Sequence, residues 1–331
     1  MKKNLLFPVL ALVILSACSP DAGTPAVYLT GINPETEDVP YMRFPFRIGL
    51  SDSVAVMLDL AADSCFYHVV SYPDFQYLYS LGKRGNGPGE IILPTPFQLH
   101  GGHLFLFDGN RSNIFDMNLS GKQNTGLEDY IHFNDLSTCV DFVRIDDTTF
   151  LMGDLSGRNR LLRVTPQTRT GILDLPGESA GENGADHGYI WRSYMDMNYE
   201  LNKVALVTQY GAVLEIVDLN DWSVIRTVGK AGFPRSAKQH VAEYYDVKWR
   251  KNDIYALYSD VSETESNRQR AGDQKSLSGG DRVHVFDQNG VMTKTYHLDV
   301  PINGFTIDEK NNLLIGISSN SDWPVYIFKL D

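Results

Sequence analysis

The segment 101–121, GGHLFLFDGNRSNIFDMNLSG, constrains the fold more than any other part of the chain. His103–Phe107 and Ser112–Met117 both alternate and are rich in Phe, Leu and Ile, and Asp108-Gly109-Asn110 between them supplies turn chemistry. An isolated hairpin of this kind cannot bury its apolar surface in water, so a chain that repeats the unit has to stack the copies.

The unit does repeat. Val54–Asp59 with Tyr67–Ser71, Thr149–Asp154 with Arg160–Thr165, Lys203–Gln209 with Ala212–Asp218, Asp253–Asp260 with Arg282–Asp287, and Asn312–Ser318 with Pro324–Leu330 are further copies. Third-strand ends fall at Asp116, Thr165, Asp218, Asp287 and Lys329, roughly 42–53 residues apart except across one polar insertion. That period, with four short strands per unit, predicts an all-β, six-bladed β-propeller of four-stranded antiparallel blades packed face to face around a channel. The last copy stops after its third strand, while Ala26–Ile32 is an orphan strand near the start. Pairing the two closes the ring: the N-terminal strand is expected to supply the outer edge of the last blade and remove an exposed edge.

Residues before the orphan strand read as an address. Lys2 and Lys3 precede the apolar run Leu5–Leu15, which falls short of the roughly 20 residues a spanning helix needs. Residues 1–17 therefore read as a signal peptide. Leu15-Ser16-Ala17-Cys18 matches the lipobox of bacterial lipoproteins, in which the thiol of Cys18 takes a diacylglycerol after cleavage. Two acyl chains and an amide-linked third hold a protein at a membrane far more firmly than one chain does. Residues 18–25 are then the acylated cysteine and a small polar tether, and residues 26–331 the propeller. Ser19 is not the aspartate that retains enteric lipoproteins at the inner membrane, so an outer-membrane lipoprotein is expected, periplasmic or surface-exposed.

Charge narrows the partners. The net charge is −12, and loss of Lys2 and Lys3 takes the mature body to −14, which argues against nucleic acid or an anionic membrane surface. Beyond Cys18 only Cys65 and Cys139 remain, in different repeats, and they are expected as two buried free thiols in a monomeric body.

One segment carries a specific resemblance. Leu81-Gly82-Lys83-Arg84-Gly85-Asn86-Gly87-Pro88-Gly89-Glu90, followed by Pro94-Thr95-Pro96-Phe97, resembles the G-x-x-G-x-G-P-G-E segment of the six-bladed, TolB-like propeller lipoproteins common in Bacteroidetes. The resemblance implies a fold and an envelope address. It implies no activity and no functional residue.

Function is expected on the face where second-to-third turns and blade-to-blade crossovers gather. Gly82-Lys83-Arg84-Gly85 and Gly229-Lys230-Ala231-Gly232 echo one another there, and adjacent N–H groups beside Lys83, Arg84 and Lys230 suit an anion. Neither opens a helix nor ends in Gly-Lys-Ser/Thr, so neither is a Walker-type loop; the competing reading is a rigid crossover in which Glu90 ties down backbone N–H groups. Arg43, Thr95, Asp141, Tyr194, Asp246 and Asn303 begin the innermost strands and are expected to ring the channel. Arg192, Tyr194, Tyr245 and Asp246 pair a guanidinium and a carboxylate with flat aromatic surface and form the ligand-site candidate, with His187 and His240 in nearby loops. Asp59, Asp108, Asp154 and Asp260 end second strands, where Asp caps turns. Val261–Gly280 is polar and is expected to add nothing to the core.

Two functional readings stay open. The first is a non-enzymatic, lipid-anchored module that binds a peptide, a glycan or a partner protein and needs no cofactor. The second is a hydrolase, lyase or lactonase holding Ca²⁺ or Zn²⁺ in the channel through Asp141, Asp246 and Asn303, and fold alone does not choose between them.

Overall fold

The computed structural model describes residues 13–16, 23–34, 40–119, 127–175, 188–234, 242–259 and 278–331. They form the six expected sheets, arranged as blades. Blade 1 runs Pro45–Ser51, Val54–Asp59, Cys65–Ser71, Tyr77–Lys83 from the centre outward. Blade 2 follows with Gln98–His100, His103–Asp108, Asn113–Asn118 and Glu128–His132. Blade 3 is Cys139–Arg144, Phe150–Asp154, Asn159–Val164 and Arg169–Asp174. Blade 4 is Ser193–Asn198, Lys203–Thr208, Val213–Asp218 and Val224–Val228. Blade 5 is Tyr244–Arg250, Asp253–Tyr258, Gly280–Phe286 and Met292–Ile302, and blade 6 is Gly304–Asp308, Leu313–Ile317 and Val325–Lys329.

Burial explains why the hairpins are so apolar. A second strand such as Phe150–Asp154 is buried along its whole length, because both of its faces meet neighbouring blades, whereas the outer strand Tyr77–Lys83 stays open over its first half. Phe105, Phe107, Phe142 and Phe150 fill the seam between blades 2 and 3. Blades 3 and 4 are also joined by charge: Glu215 ion-pairs with Arg160 and Arg226, and Arg160 Nη2 donates to Ser193 Oγ at 2.7 Å.

The aspartates at second-strand ends clasp the incoming crossover. Asp59 accepts from the backbone N–H of Arg43, Phe44 and Ala61. Asp108 accepts from Ile92, Leu93 and Asn110, and Asp154 from Ser156 N and Thr138 Oγ1. Each clasp ties a turn of one blade to the chain entering that blade, which is why the residue type recurs; Asp260 lies outside the described residues.

Ring closure uses less of the N-terminal strand than the sequence suggests. Ladder pairing with blade 6 is limited, among the described residues, to Ile32, which exchanges both backbone hydrogen bonds with Ile327 at 2.9 and 2.8 Å, while Asn33 Nδ2 donates to Trp323 O at 3.1 Å. Ala26–Leu29 instead lies parallel to Thr295–Leu298 as a fifth strand of blade 5, with Tyr28 stacked on His297. The strand is too short to serve two blades with paired residues throughout, so it covers one edge and pins the other. Val13–Ser16 lies parallel to the outer strand of blade 4. Cys18 and the tether to residue 22 lie outside the described residues.

Two further expectations are refined. Cys139 is buried, its thiol pushed up to about 12 by burial, but Cys65 is half-buried; both are free. The polar insertion also ends sooner than its composition suggests. Residues 261–277 lie outside the described residues, yet Asn320 exchanges hydrogen bonds with Ser278 N and Ser278 O at 2.9 and 2.7 Å, and Gly280 is buried at the start of a strand. Those contacts set a sharp expectation for deletion. Replacing 261–277 by a short Gly-Ser bridge leaves the melting temperature within about 2 °C of the parent, since lengthening a surface loop costs little. Extending the deletion through Gly280 removes strand residues and lowers it by several degrees, as read by circular dichroism melts.

Candidate functional site

The channel is closed near the loop face by a buried charge cluster. Inner strands begin at that face and alternate, so residues two apart share the channel side. Arg47 comes from blade 1, Asp141 from blade 3, Tyr194 and Asp196 from blade 4, and Asp246 and Lys248 from blade 5. Arg47 is 4% exposed and Asp246 not exposed at all. Arg47 Nη1 ion-pairs with Asp246 Oδ1, its Nη2 stands 3.8 Å from Asp141 Oδ2, and its guanidinium lies 4.6 Å from the Tyr194 ring centroid. Lys248 Nζ reaches Asp246 Oδ1 at 3.0 Å and donates to Val247 O at 3.1 Å.

The same carboxylates stitch one blade to the next. Asp141 Oδ2 accepts from Met195 N of blade 4 at 3.2 Å, Asp196 Oδ2 from Trp249 N of blade 5 at 2.7 Å, and Asp246 Oδ2 from Phe305 N of blade 6 at 3.1 Å. Gly304 lets blade 6 come this close, since a Cβ there would stand 2.4 Å from Phe46 O and 3.2 Å from Asp246 Oδ2. Burial shapes the charges. It pushes the Asp141 and Asp196 carboxyls above their usual range, against Arg47 and Lys248 respectively, and it pulls Lys248 down to about 8, with Arg47 adding to the fall.

Above this plug, three loops converge on the loop face. Tyr189 and Arg192 come from the crossover between blades 3 and 4, Tyr210 from the second-to-third turn of blade 4, and Glu243 from the next crossover, just before the inner strand of blade 5 that carries Tyr245. Tyr189 and Tyr210 share a hydroxyl contact of 3.1 Å. Gly211, at φ +71°, turns its N–H onto Glu243 Oε2 at 2.8 Å. Burial pushes the Glu243 carboxyl up to about 7 against that hydrogen bond. The Arg192 side chain is half-buried beside Tyr194 and Tyr210 and has no hydrogen bond or ion pair among the described residues.

The sequence candidates divide accordingly. Tyr194 stands beside Arg192 and, with Asp246, lies beneath the surface as part of the plug, whereas Tyr245 packs against the core between blades 5 and 6. Lys83 lies on another blade and is paired with Glu90 at 2.7 Å, while Glu90 Oε2 takes Gly87 N at 2.7 Å. Arg84 donates to Ala62 O and lies over Phe66, and Arg111 donates to Gly87 O and Glu90 O, so the glycine-rich segment is braced from both sides. Lys230 borders a small cavity of about 20 Å³ beside Tyr244, Tyr258 and His284, room for about one water. Among the expected channel residues, Arg43 points outward to Asp63, and Arg47, one further pair of alternations along, takes the central place. Thr95 is buried and donates to Phe107 O, and Asn303 accepts from Ser319 N.

Asp141 and Asp246 each hold backbone N–H groups and face Arg47. Among the described residues no group of three or more His, Cys, Asp or Glu side chains is placed to hold a metal ion. His187 and His240 lie outside the described residues. Arg47, Asp196, Lys248, Glu243, Tyr189 and Tyr210 were not singled out from the sequence. Asp196 follows Tyr194 by two and Lys248 follows Asp246 by two, so strand alternation was the signal available for both.

A family model described as TolB-like 6-blade propeller-like matches residues 33–310. No curated protein matches the chain by sequence. Among solved structures, a protein described as exported from Bacteroides fragilis is 12% identical at a TM-score of 0.54, over 96% of this chain and 99% of that one. A member of the DUF4221 family from Bacteroides vulgatus is 10% identical at 0.60, over 91% and 95%. A calcium-binding protein, regucalcin, from Agrobacterium tumefaciens is 9% identical at 0.55, over 92% and 95%. At these identities the likeness is one of fold.

Glu243 yields a pH expectation. Its carboxyl holds a proton to about pH 7 in the folded chain but only to about 4.5 when unfolded, so stability falls as pH rises between those values and the penalty is complete above them. Glu243→Gln keeps an oxygen acceptor for Gly211 and removes that penalty. Denaturant titrations should show the variant equal to the parent below pH 4.5 and more stable by up to about 2 kcal/mol at pH 8, its partial exposure tempering the full linkage value.

Proposed function

The chain belongs to the TolB-like six-bladed propeller family, and from that premise we propose that it is a lipid-anchored binding module of the cell envelope, which docks a peptide segment of a partner protein on its loop face. The observation that carries this reading is Arg192, a guanidinium without an ionic partner among the described residues, set beside Tyr194 and Tyr210, with Tyr189 held against Tyr210. Tyrosine and arginine are the residue types enriched in the buried centres of protein interfaces. A carboxylate on the incoming segment is the natural partner for Arg192, since guanidinium pairs with it through two parallel hydrogen bonds.

Exposed apolar side chains extend the patch. Tyr41 (76% exposed) and Phe44 on the crossover into blade 1, Leu93 (51%) on the crossover into blade 2, and Phe233 beyond blade 4 all belong to the same face. Phe233 lies 6.0 Å from the Trp191 ring. A face that collects such residues from successive crossovers fits a partner surface better than a small solute. Arg47 and Asp246 are meanwhile paired with one another. Attachment through Cys18 would hold the module at the outer membrane, and the exported description of the Bacteroides fragilis protein is consistent with that address.

Site-specific photo-crosslinking in cells tests both parts. A benzoylphenylalanine at Tyr189 or Phe233 is expected to trap a discrete partner, and Arg192→Glu to abolish the adduct; the same probe at Tyr77 or Val291, away from the loop face, traps none. Cys18→Ser moves the chain out of the membrane fraction. Adducts confined to Tyr77 or Val291, or unaffected by Arg192→Glu, would sink the docking face, and an unchanged membrane fraction would sink the anchor.

A further inference from the structure

Below the Arg47 plug the channel widens into a cavity of about 410 Å³, within the size range of small-molecule sites. Its walls include Leu50, Gly101, Tyr199 and Glu309, all at the far ends of inner strands or the turns that follow them. The mouth therefore opens on the face opposite the loop patch.

The cavity's chemistry is that of a hydroxyl-binding site. Trp249 Nε1 is buried in its wall with no hydrogen-bond acceptor among the described residues. A buried donor left unmade costs about 1–3 kcal/mol, so a guest that accepts is favoured. Asp141 and Asp196 line the same walls and call for a guest that donates. Strong charge of either sign is disfavoured: an anion meets the two carboxylates, and a cation meets Arg47 and Lys248. The hydroxyl group donates and accepts without charge. At the mouth the His100 ring lies tilted against Tyr199 with centroids 4.2 Å apart and planes 38° apart, and burial holds the His100 ring below its usual pKa. With Trp249 and Phe97 this supplies flat apolar surface for the C–H faces of a ring.

We propose that the central cavity is a binding site for a neutral, polyhydroxylated ligand of one or two sugar rings, entering from the face opposite the loop patch. It is independent of the partner docking on the loop face, because the Arg47, Asp141, Tyr194 and Asp246 plug stands between them.

Titration calorimetry of the full chain in detergent tests the assignment, with glucose, galactose, mannose, maltose, lactose and cellobiose as probes and glucuronate and glucosamine as charged comparators. At least one neutral sugar is expected to bind saturably. Trp249→Phe, which keeps a ring but removes the donor, and Asp196→Asn, which keeps an oxygen for Trp249 N, each weaken it about tenfold or more. Tyr199→Ala at the exposed mouth weakens it as well and serves should a buried variant fail to fold. The proposal is overturned if no neutral sugar saturates by about 50 mM, if only a charged comparator binds, or if affinity survives the substitutions in folded protein.

Discussion

The centre of the molecule depends on a carboxylate relay around Arg47. Asp141, Asp196 and Asp246 each reach from one inner strand to a backbone N–H of the next, at Met195, Trp249 and Phe305. Arg47 crosses from blade 1 to Asp246 and toward Asp141, tying the start of the ring to its far side. Removing such charges from water costs several kcal/mol per ion, so the cluster is poor evidence for net stability. Its geometry instead makes it a device of register: an inner strand shifted by one residue would turn its carboxylate out of the channel and leave the neighbouring amide unmatched.

That plug also divides the molecule chemically. On one side the loops bring Tyr189, Arg192 and Tyr210 together; on the other the inner strands enclose a cavity edged by Trp249 and the His100–Tyr199 pair. A propeller with an open bore would expose both to the same solvent column. Here the two faces are free to answer different ligands, and the clasps at Asp59, Asp108 and Asp154 keep the crossovers in place while doing so.

Much of the fold was legible because a blade is a local unit. Its second and third strands are covered on both faces, so their apolar runs stand out, and the turn residues between them recur at one period. Closure was harder to read: nothing in Ala26–Ile32 says that four of its residues prefer the edge of blade 5 while Ile32 pairs with blade 6. The site was harder still. Asp141, Tyr194 and Asp246 were recognisable as inner-strand starts, but Arg43, expected to ring the channel, pairs outward with Asp63, and a register shift between Pro45 and Arg47 brings Arg47 to the centre. Trp249 carries no motif; its backbone N–H meets Asp196 of blade 4, 53 residues away in sequence.

The account rests on Arg47 and Asp246 acting as one unit, and a double-mutant cycle measures that directly. Arg47→Met, Asp246→Asn and the double variant are compared with the parent by denaturant unfolding. The account predicts strong coupling, with the double variant more stable than the sum of the single losses allows by more than about 1 kcal/mol, because each single change strands a buried partner. Additivity within about 0.5 kcal/mol would contradict it.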